Sequence, residues 1–135
     1  MIPADNPLIQ YSGRIDLSNP KAPRFDWPGI SITVKFKSTF IGFFLEDGNN
    51  NFEVQVDGKP TTVWVTQPDQ NCYVVKDLPT GEHTLRVVKR TEALFGSTLF
   101  KGLLLDSKGT LLEPPAKPVR KIEFVGDSII CGYGN

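Results

Sequence analysis

The sequence predicts an all-β fold, a jelly-roll β-sandwich that occupies residues 1–112. Apolar and polar residues alternate in several short runs, which is the period of a strand with one buried face. Turn signals separate these runs at short, regular intervals. No long apolar stripe at helical spacing is flanked by caps, so helices are expected to be few and short. The 135 residues, 39% of them hydrophobic, are enough for one well-packed domain and too few for two.

Residues 30–37 form the clearest predicted strand, because apolar residues at 30, 32, 34 and 36 alternate with serine, threonine and lysine. A more apolar run follows at residues 40–45. Alternation resumes at residues 52–56 and leads into Asp57-Gly58, a strong tight-turn signal, so this run and residues 61–65 are predicted to pair as a hairpin. Further strands are predicted at residues 72–76, 84–89 and 100–105, with breaks at 79–81 and 107–109.

A proline-rich stretch at residues 113–119 predicts a boundary after the sandwich. It contains three prolines in seven residues, which favours an extended, semi-rigid spacer. The short apolar run that follows at residues 122–125 is typical of a parallel strand covered on both faces. A second domain is therefore predicted to begin at residue 120, with only residues 120–135 of it in this sequence. We expect the chain to be the front of a larger protein.

Charge, hydropathy and cysteine content argue against several classes of function. Fifteen basic and fifteen acidic residues balance, and no basic tract is longer than a pair, so nucleic acid is not an expected partner. No apolar stretch approaches the roughly 20 residues that a membrane span needs, and the start lacks the pattern of a signal peptide. Cys72 and Cys131 lie in no Cys/His cluster, so they are interpreted as ordinary thiols and no metal site is expected.

The run at residues 122–125 ends in Gly126-Asp127-Ser128. A strand that ends in this way can present a serine hydroxyl at the carboxyl edge of a sheet, where open α/β folds place their reactive groups. A serine hydroxyl is a poor nucleophile until a base accepts its proton, and its tetrahedral intermediate needs hydrogen-bond donors. Those partners of Ser128 are expected beyond Asn135. The local pattern alone also fits a serine in a turn or a helix cap.

Residues 122–135, Ile-Glu-Phe-Val-Gly-Asp-Ser-Ile-Ile-Cys-Gly-Tyr-Gly-Asn, resemble the first block of the SGNH, or GDSL-type, hydrolases. The Cys-Gly-Tyr-Gly-Asn extension is similar to carbohydrate esterase family 2. The upstream region resembles the amino-terminal galactose-binding-like jelly roll of that family over essentially its whole length. The motifs that carry this likeness are Gly-Arg-Ile-Asp at 13–16, Pro-Arg-Phe-Asp-Trp-Pro-Gly at 23–29, Val-Asp-Gly at 56–58, Leu-Pro-Thr-Gly-Glu-His-Thr at 78–84 and Lys-Arg-Thr-Glu at 89–92.

The resemblance implies removal of acetyl groups from plant cell-wall polysaccharides such as xylan or mannan, without a cofactor. Ser128 matches the family's nucleophile and one oxyanion donor through its own N–H, while Gly126 and Asp127 organise the turn. The family's histidine and its other donors belong to later blocks that this sequence does not contain, so the chain alone is expected to be inactive. One local departure is Ile130, which stands where threonine is common.

The same resemblance implies the partners. These are an acetylated polysaccharide or oligosaccharide and the downstream SGNH domain of the same polypeptide, of which residues 120–135 would be the first strand and nucleophile turn. It also favours a secreted or extracytoplasmic location.

The two tryptophans and the single histidine each have two interpretations. Trp27 and Trp64 are candidates for sugar-stacking platforms, yet core packing is favoured for both because a small sandwich needs the area that an aromatic side chain buries. His83 is the one histidine that a self-contained serine hydrolase could use as base. Its place in Gly-Glu-His-Thr, at a turn entering a strand, favours a structural or exposed role.

Asp47, Asn49 and Asn51 mimic the opening of a calcium-binding loop. Phe52 stands where an EF-hand needs glycine, and the glutamate at position twelve of the loop is missing. We therefore expect a solvated hairpin tip.

Three hypotheses remain open at the level of sequence. The favoured one is the amino-terminal part of a carbohydrate acetylesterase. The second is an independent carbohydrate-binding sandwich, and the third is a packing domain that stabilises a hydrolase neighbour and binds nothing.

Overall fold

A computed structural model describes residues 1–120, 122 and 125–127, and in this part of the chain two antiparallel sheets form a β-sandwich. This confirms the all-β, jelly-roll prediction. A single 3₁₀ turn at Ala93–Phe95 is the only helix among the described residues. The strands are β1 (Ile2–Pro3), β2 (Ile9–Ser12), β3 (Arg24–Phe25), β4 (Ser31–Lys37), β5 (Ile41–Glu46), β6 (Asn51–Val56), β7 (Lys59–Val65), β8 (Cys72–Val75), β9 (Glu82–Lys89), β10 (Thr98–Leu105) and β11 (Thr110–Leu112).

The first sheet has the order β1-β10-β5-β8, with β3 also paired to β10. The second sheet has the order β11-β4-β9-β6-β7, with β2 also paired to β4. The inward faces meet in one core, where Phe43 from the first sheet packs on Trp64 from the second with ring centroids 5.8 Å apart. Aromatic pairs of this kind stabilise a sandwich beyond the area that they bury.

Strand alternation places side chains as the sequence predicts. Ile32, Val34 and Phe36 of β4 are buried, as are Phe52 and Val54 of β6. The predicted hairpin is confirmed, because β6 pairs with β7 across the turn at Asp57 and Gly58. Both turn residues have positive φ, as a two-residue hairpin turn requires.

The connection between β5 and β6 differs from the prediction. A hairpin tip was expected around Asp47, but β5 belongs to the first sheet and β6 to the second, so residues 47–50 cross from one sheet to the other. Four strands, β1, β2, β3 and β11, which are two to four residues long, were not predicted. Gly102 permits the pairing of β1, since a Cβ there would lie 2.2 Å from the Ile2 carbonyl oxygen and its φ is +124°.

The proline-rich segment after β11 lies against the second sheet. Gln10 Nε2 in β2 donates a 3.0 Å hydrogen bond to the Pro115 carbonyl. Beyond Leu112, none of the described residues belongs to a strand. The division into residues 1–112, 113–119 and 120–135 stays a prediction.

No helix in the described part of the chain is long and apolar enough to cross a membrane.

Candidate functional site

The predicted nucleophile, Ser128, lies outside the described residues, as does Cys131. Gly126 and Asp127 are described and exposed. The roles assigned to these three residues of the Gly-Asp-Ser turn stay predictions.

His83 has a structural role in β9. Its buried ring lies between two acceptors, with Nδ1 2.8 Å from Asp57 Oδ2 and Nε2 2.8 Å from the Pro79 carbonyl oxygen. A carbonyl and an ionised carboxylate can only accept, so this geometry favours the imidazolium form, in which both ring nitrogens donate. The hydrogen bond to Asp57, followed by that to Pro79, raises the pKa of His83. Neither nitrogen is left to act as a general base.

Asp47 is the centre of a buried polar network, which corrects the expectation of a solvated tip. Its carboxylate accepts from the N–H groups of Asn49 and Asn50, from Asn50 Nδ2, and from the hydroxyls of Thr66 and Thr98. The roughly four lone-pair sites of the carboxylate are thus filled, and the Asn50 N–H is shared between Asp47 and the Thr66 hydroxyl oxygen. The network joins the segments after β5 and β7 to the start of β10. The oxygens of Asp47 are therefore committed to protein donors and not to a cation.

Lys89 is the other buried charge at this end of the sandwich, with 1% of its surface exposed. Its Nζ donates to the carbonyl oxygen and hydroxyl of Thr91 and to the carbonyl oxygen of Glu92. Burial lowers the pKa of its ammonium, while Asp47 and Asp26 oppose that shift. Lys89 thereby fixes the start of the loop between β9 and β10.

No group of three or more histidine, cysteine, aspartate and glutamate side chains gathers in the described residues in a way that could hold a metal ion. Cys72 is a free thiol, and burial raises its pKa.

The two tryptophans have different environments. Trp64 is 8% exposed and packs between Phe43 and Tyr73, so the core interpretation is correct for it. Trp27 is 52% exposed, so the same interpretation is wrong for Trp27. Trp27 lies in the loop between β3 and β4, just before the turn at Gly29.

Arg14 is the partner of Trp27. Its guanidinium carbon lies 5.9 Å from the centroid of the indole, within the range of a cation–π contact. Beside this pair is a cleft of about 250 Å³ whose walls carry two arginines and two aspartates. Its lining residues are Arg14, Asp16, Arg24, Phe25 and Asp26.

Sequence reasoning missed Arg14, Asp57 and Lys89. Asp57 was interpreted only as a turn residue, and nothing local shows that it reaches a histidine 26 positions away. Lys89 did carry a signal, because it continues the inward alternation of His83, Leu85 and Val87 along β9.

The profile of the carbohydrate esterase 2 N-terminal family matches residues 11–115. "Cellulase/esterase CelE" of Acetivibrio thermocellus is 41% identical over 133 residues, which cover 97% of this chain and 16% of that protein. "Acetylxylan esterase / glucomannan deacetylase" of Cellvibrio japonicus is 34% identical over 131 residues, which cover 94% of this chain and 36% of the relative.

A solved structure of a carbohydrate esterase is also similar to this chain. A family two carbohydrate esterase from Clostridium thermocellum, in complex with cellohexaose, is 39% identical with a TM-score of 0.81, over 94% of this chain and 39% of that one. The chain thus spans well under half the length of these relatives.

Proposed function

Because this chain belongs to the carbohydrate esterase 2 N-terminal family, we propose that it is the amino-terminal part of a carbohydrate acetylesterase. The observation that carries the proposal is the family match over residues 11–115 followed by Gly126-Asp127-Ser128 at the place where the hydrolase block is expected. In this proposal the sandwich is a non-catalytic domain, and the catalytic groups lie in the domain that begins near residue 120.

Ser128 is the proposed nucleophile of that domain. Its Oγ attacks the acetyl carbonyl carbon while the general base accepts the hydroxyl proton, and its backbone N–H is one donor to the oxyanion that forms. Collapse of this intermediate breaks the ester bond, and the sugar oxygen leaves with the proton from the base. Water then hydrolyses the acetyl-serine, which releases acetate and restores Ser128. The general base and the remaining oxyanion donors come from the downstream part of the domain. His83 does not supply the base, because both of its ring nitrogens are engaged by Asp57 and Pro79.

Exposed apolar side chains after the sandwich support a further domain. Val119, Ile122 and Val125 are 100%, 79% and 86% exposed. Folding is driven mainly by removing such surface from water, so side chains of this kind are expected to be covered by the fold to which they belong.

We assign acetylated plant cell-wall polysaccharide of the xylan or mannan type as the substrate. The support comes from the relative described as an acetylxylan esterase and glucomannan deacetylase, and from the cellohexaose complex of a family two enzyme. Such substrates lie outside the cell, which favours a secreted or extracytoplasmic protein.

The test compares this chain with the polypeptide that continues into the hydrolase domain. Acetate release is measured from acetylated xylan, acetylated mannan and an activated acetyl ester. The longer protein should be active, and Ser128→Ala should abolish that activity. The chain alone should be inactive, because a missing base or oxyanion donor each costs about two to four powers of ten in rate.

Ser107→Ala is the matched control, since Ser107 is an exposed turn serine and its loss should leave the rate unchanged. Undiminished activity of the Ser128→Ala protein would overturn the assignment of the nucleophile. Turnover by the 135-residue chain that is lost in His83→Gln would overturn the division of roles between the two domains.

A further inference from the structure

We propose that the surface around Trp27 is the docking site for the hydrolase domain, an inference that rests on the proposed function. We call this the junction surface and define it by Arg14, Leu17, Trp27, Pro114 and Lys117. It comprises two depressions on either side of residues 13–17 and the half-exposed indole next to them.

The first depression is a groove of about 530 Å³ between β2, residues 13–17 and the proline-rich segment. Pro114 and Lys117 form one wall, and Gly13, Ile15 and Leu17 form part of the other. The hydrogen bond from Gln10 to Pro115 holds the segment in this position. The chain therefore leaves β11 along β2, toward residues 13–17.

This course brings the next domain to the junction surface. Only two residues, Pro118 and Val119, lie between Lys117 and Arg120, where the second domain is predicted to begin. The three Cα-to-Cα steps from Lys117 to Arg120 span at most about 10 Å when the chain is extended. A domain attached by so short a connection lies against residues 13–17 or beside them.

The second depression is the cleft on the other side of the same residues. Arg14 and Asp16 line the cleft, whereas Gly13, Ile15 and Leu17 line the groove. Residues that alternate along the chain therefore line different depressions. Trp27 stands at the cleft, in contact with Arg14. One partner can therefore cover the groove and the indole together.

The chemistry of the junction surface is that of a protein interface. Trp27 and Leu17 are each 52% exposed, and tryptophan and arginine are the residues that most often dominate binding energy at interfaces. Two arginines and two aspartates line the cleft, and one of them, Arg14, lies over the indole, so polar groups of balanced charge adjoin the aromatic ring.

The loop that carries Trp27 is also anchored before any partner binds. The Gly29 N–H donates a 2.9 Å hydrogen bond to the Lys89 carbonyl, which anchors the Trp27 loop to β9. The buried Nζ of Lys89 anchors the neighbouring loop. A loop held in this way loses little backbone freedom on docking, which favours tight association.

Hydrogen exchange measured by mass spectrometry tests the inference in two proteins, this chain and the polypeptide that continues into the hydrolase domain. Peptides that cover residues 13–17 and 25–29 should exchange more slowly in the longer protein. Trp27→Ala should weaken the docked state about 30-fold and abolish that protection. Leu94→Ala is the matched control, because Leu94 is 90% exposed on the 3₁₀ turn and outside the junction surface, so protection should be unchanged.

Equal exchange of these peptides in both proteins would overturn the docking site. So would binding of xylan, mannan or cellulose oligosaccharides to the 135-residue chain that is lost in Trp27→Ala, since the indole would then be a glycan platform. Acetate release by the longer protein is measured in parallel. Protection without acetate release would support the docking site and reject the esterase assignment, whereas acetate release without protection would do the reverse.

Discussion

His83 and Asp57 are joined by a 2.8 Å contact between Nδ1 and Oδ2 that links strand β9 to the β6–β7 turn. Asp57 also accepts from the Thr84 N–H, and the ring of His83 reaches Pro79 in the β8–β9 loop. One buried imidazolium thus holds two loops on one strand.

Because of this pair, the stability of the sandwich should fall both at high pH and at low pH. The pKa of His83 is raised in the fold, so its contribution is complete below the unfolded value of about 6.5 and is lost as pH rises through the folded pKa. The pKa of Asp57 is lowered, chiefly by His83, so its contribution is present above about 3.9 and is lost as pH falls through the folded pKa. The pair should stabilise the sandwich most between about pH 4 and pH 6.5.

Replacing His83 with glutamine should remove this dependence. The free energy of unfolding of the variant should be about 1 to 3 kcal/mol lower than that of the wild type near pH 5.5, and the difference should be smaller above neutral pH. Denaturant unfolding across a pH series measures this difference. Glu82→Gln is the control, because solvent screens its exposed pair with Lys35 and its loss should change the free energy of unfolding far less than the loss of His83. A parallel offset between wild type and His83→Gln at all pH values would contradict the imidazolium assignment.

The two tryptophans should respond differently to truncation. Trp64→Ala removes a core ring between Phe43 and Tyr73 and should cost about 3 to 5 kcal/mol. Trp27→Ala in the 135-residue chain removes only an exposed cation–π contact with Arg14, and should cost about 1 kcal/mol or less. Denaturant unfolding of both variants decides the point. A large loss for Trp27→Ala would show that its ring supports the fold.

Asp47 should be essential to stability although it lies in a loop. Asp47→Asn keeps the side-chain volume but replaces one accepting oxygen with an NH₂ group, which would face the N–H and O–H donors of the network. We therefore expect the free energy of unfolding to fall by about 2 kcal/mol or more. The exposed loop residue Asp69, replaced by asparagine in the same assay, should change stability by no more than about 0.5 kcal/mol. Equal effects of the two substitutions would contradict the network, as would a thermal midpoint of Asp47→Asn that matches wild type.

Local patterns determined how much of this fold could be predicted. Strands β4, β6 and β9 alternate over six to eight residues, so both their existence and their buried faces follow from the sequence. The strands β1 and β3 have two residues each, which is too short for any period to appear.

Whether a loop or a single side chain is buried depends on partners that lie far away along the chain. The polar residues 47–50 give the same local signal for a hairpin tip as for a crossing between sheets, and only Thr66 and Thr98 make Asp47 a buried centre. Trp27 lies in a loop outside the alternating strands, so no period in the sequence indicates whether its side chain is buried or exposed. Of the candidate site, the Gly-Asp-Ser turn was identified by motif alone, and its placement stays a prediction.

The pairing of β1 with β10 also affects how the protein can fold during synthesis. Ile2 lies opposite Leu103, and Arg24 opposite Leu99, so the amino-terminal strands of the first sheet must wait for residues made much later. At about 5 to 20 residues per second, the ribosome needs roughly 5 to 20 s to supply them. Until β10 emerges, the first sheet consists only of β5 and β8, and its remaining edge is open to other nascent chains.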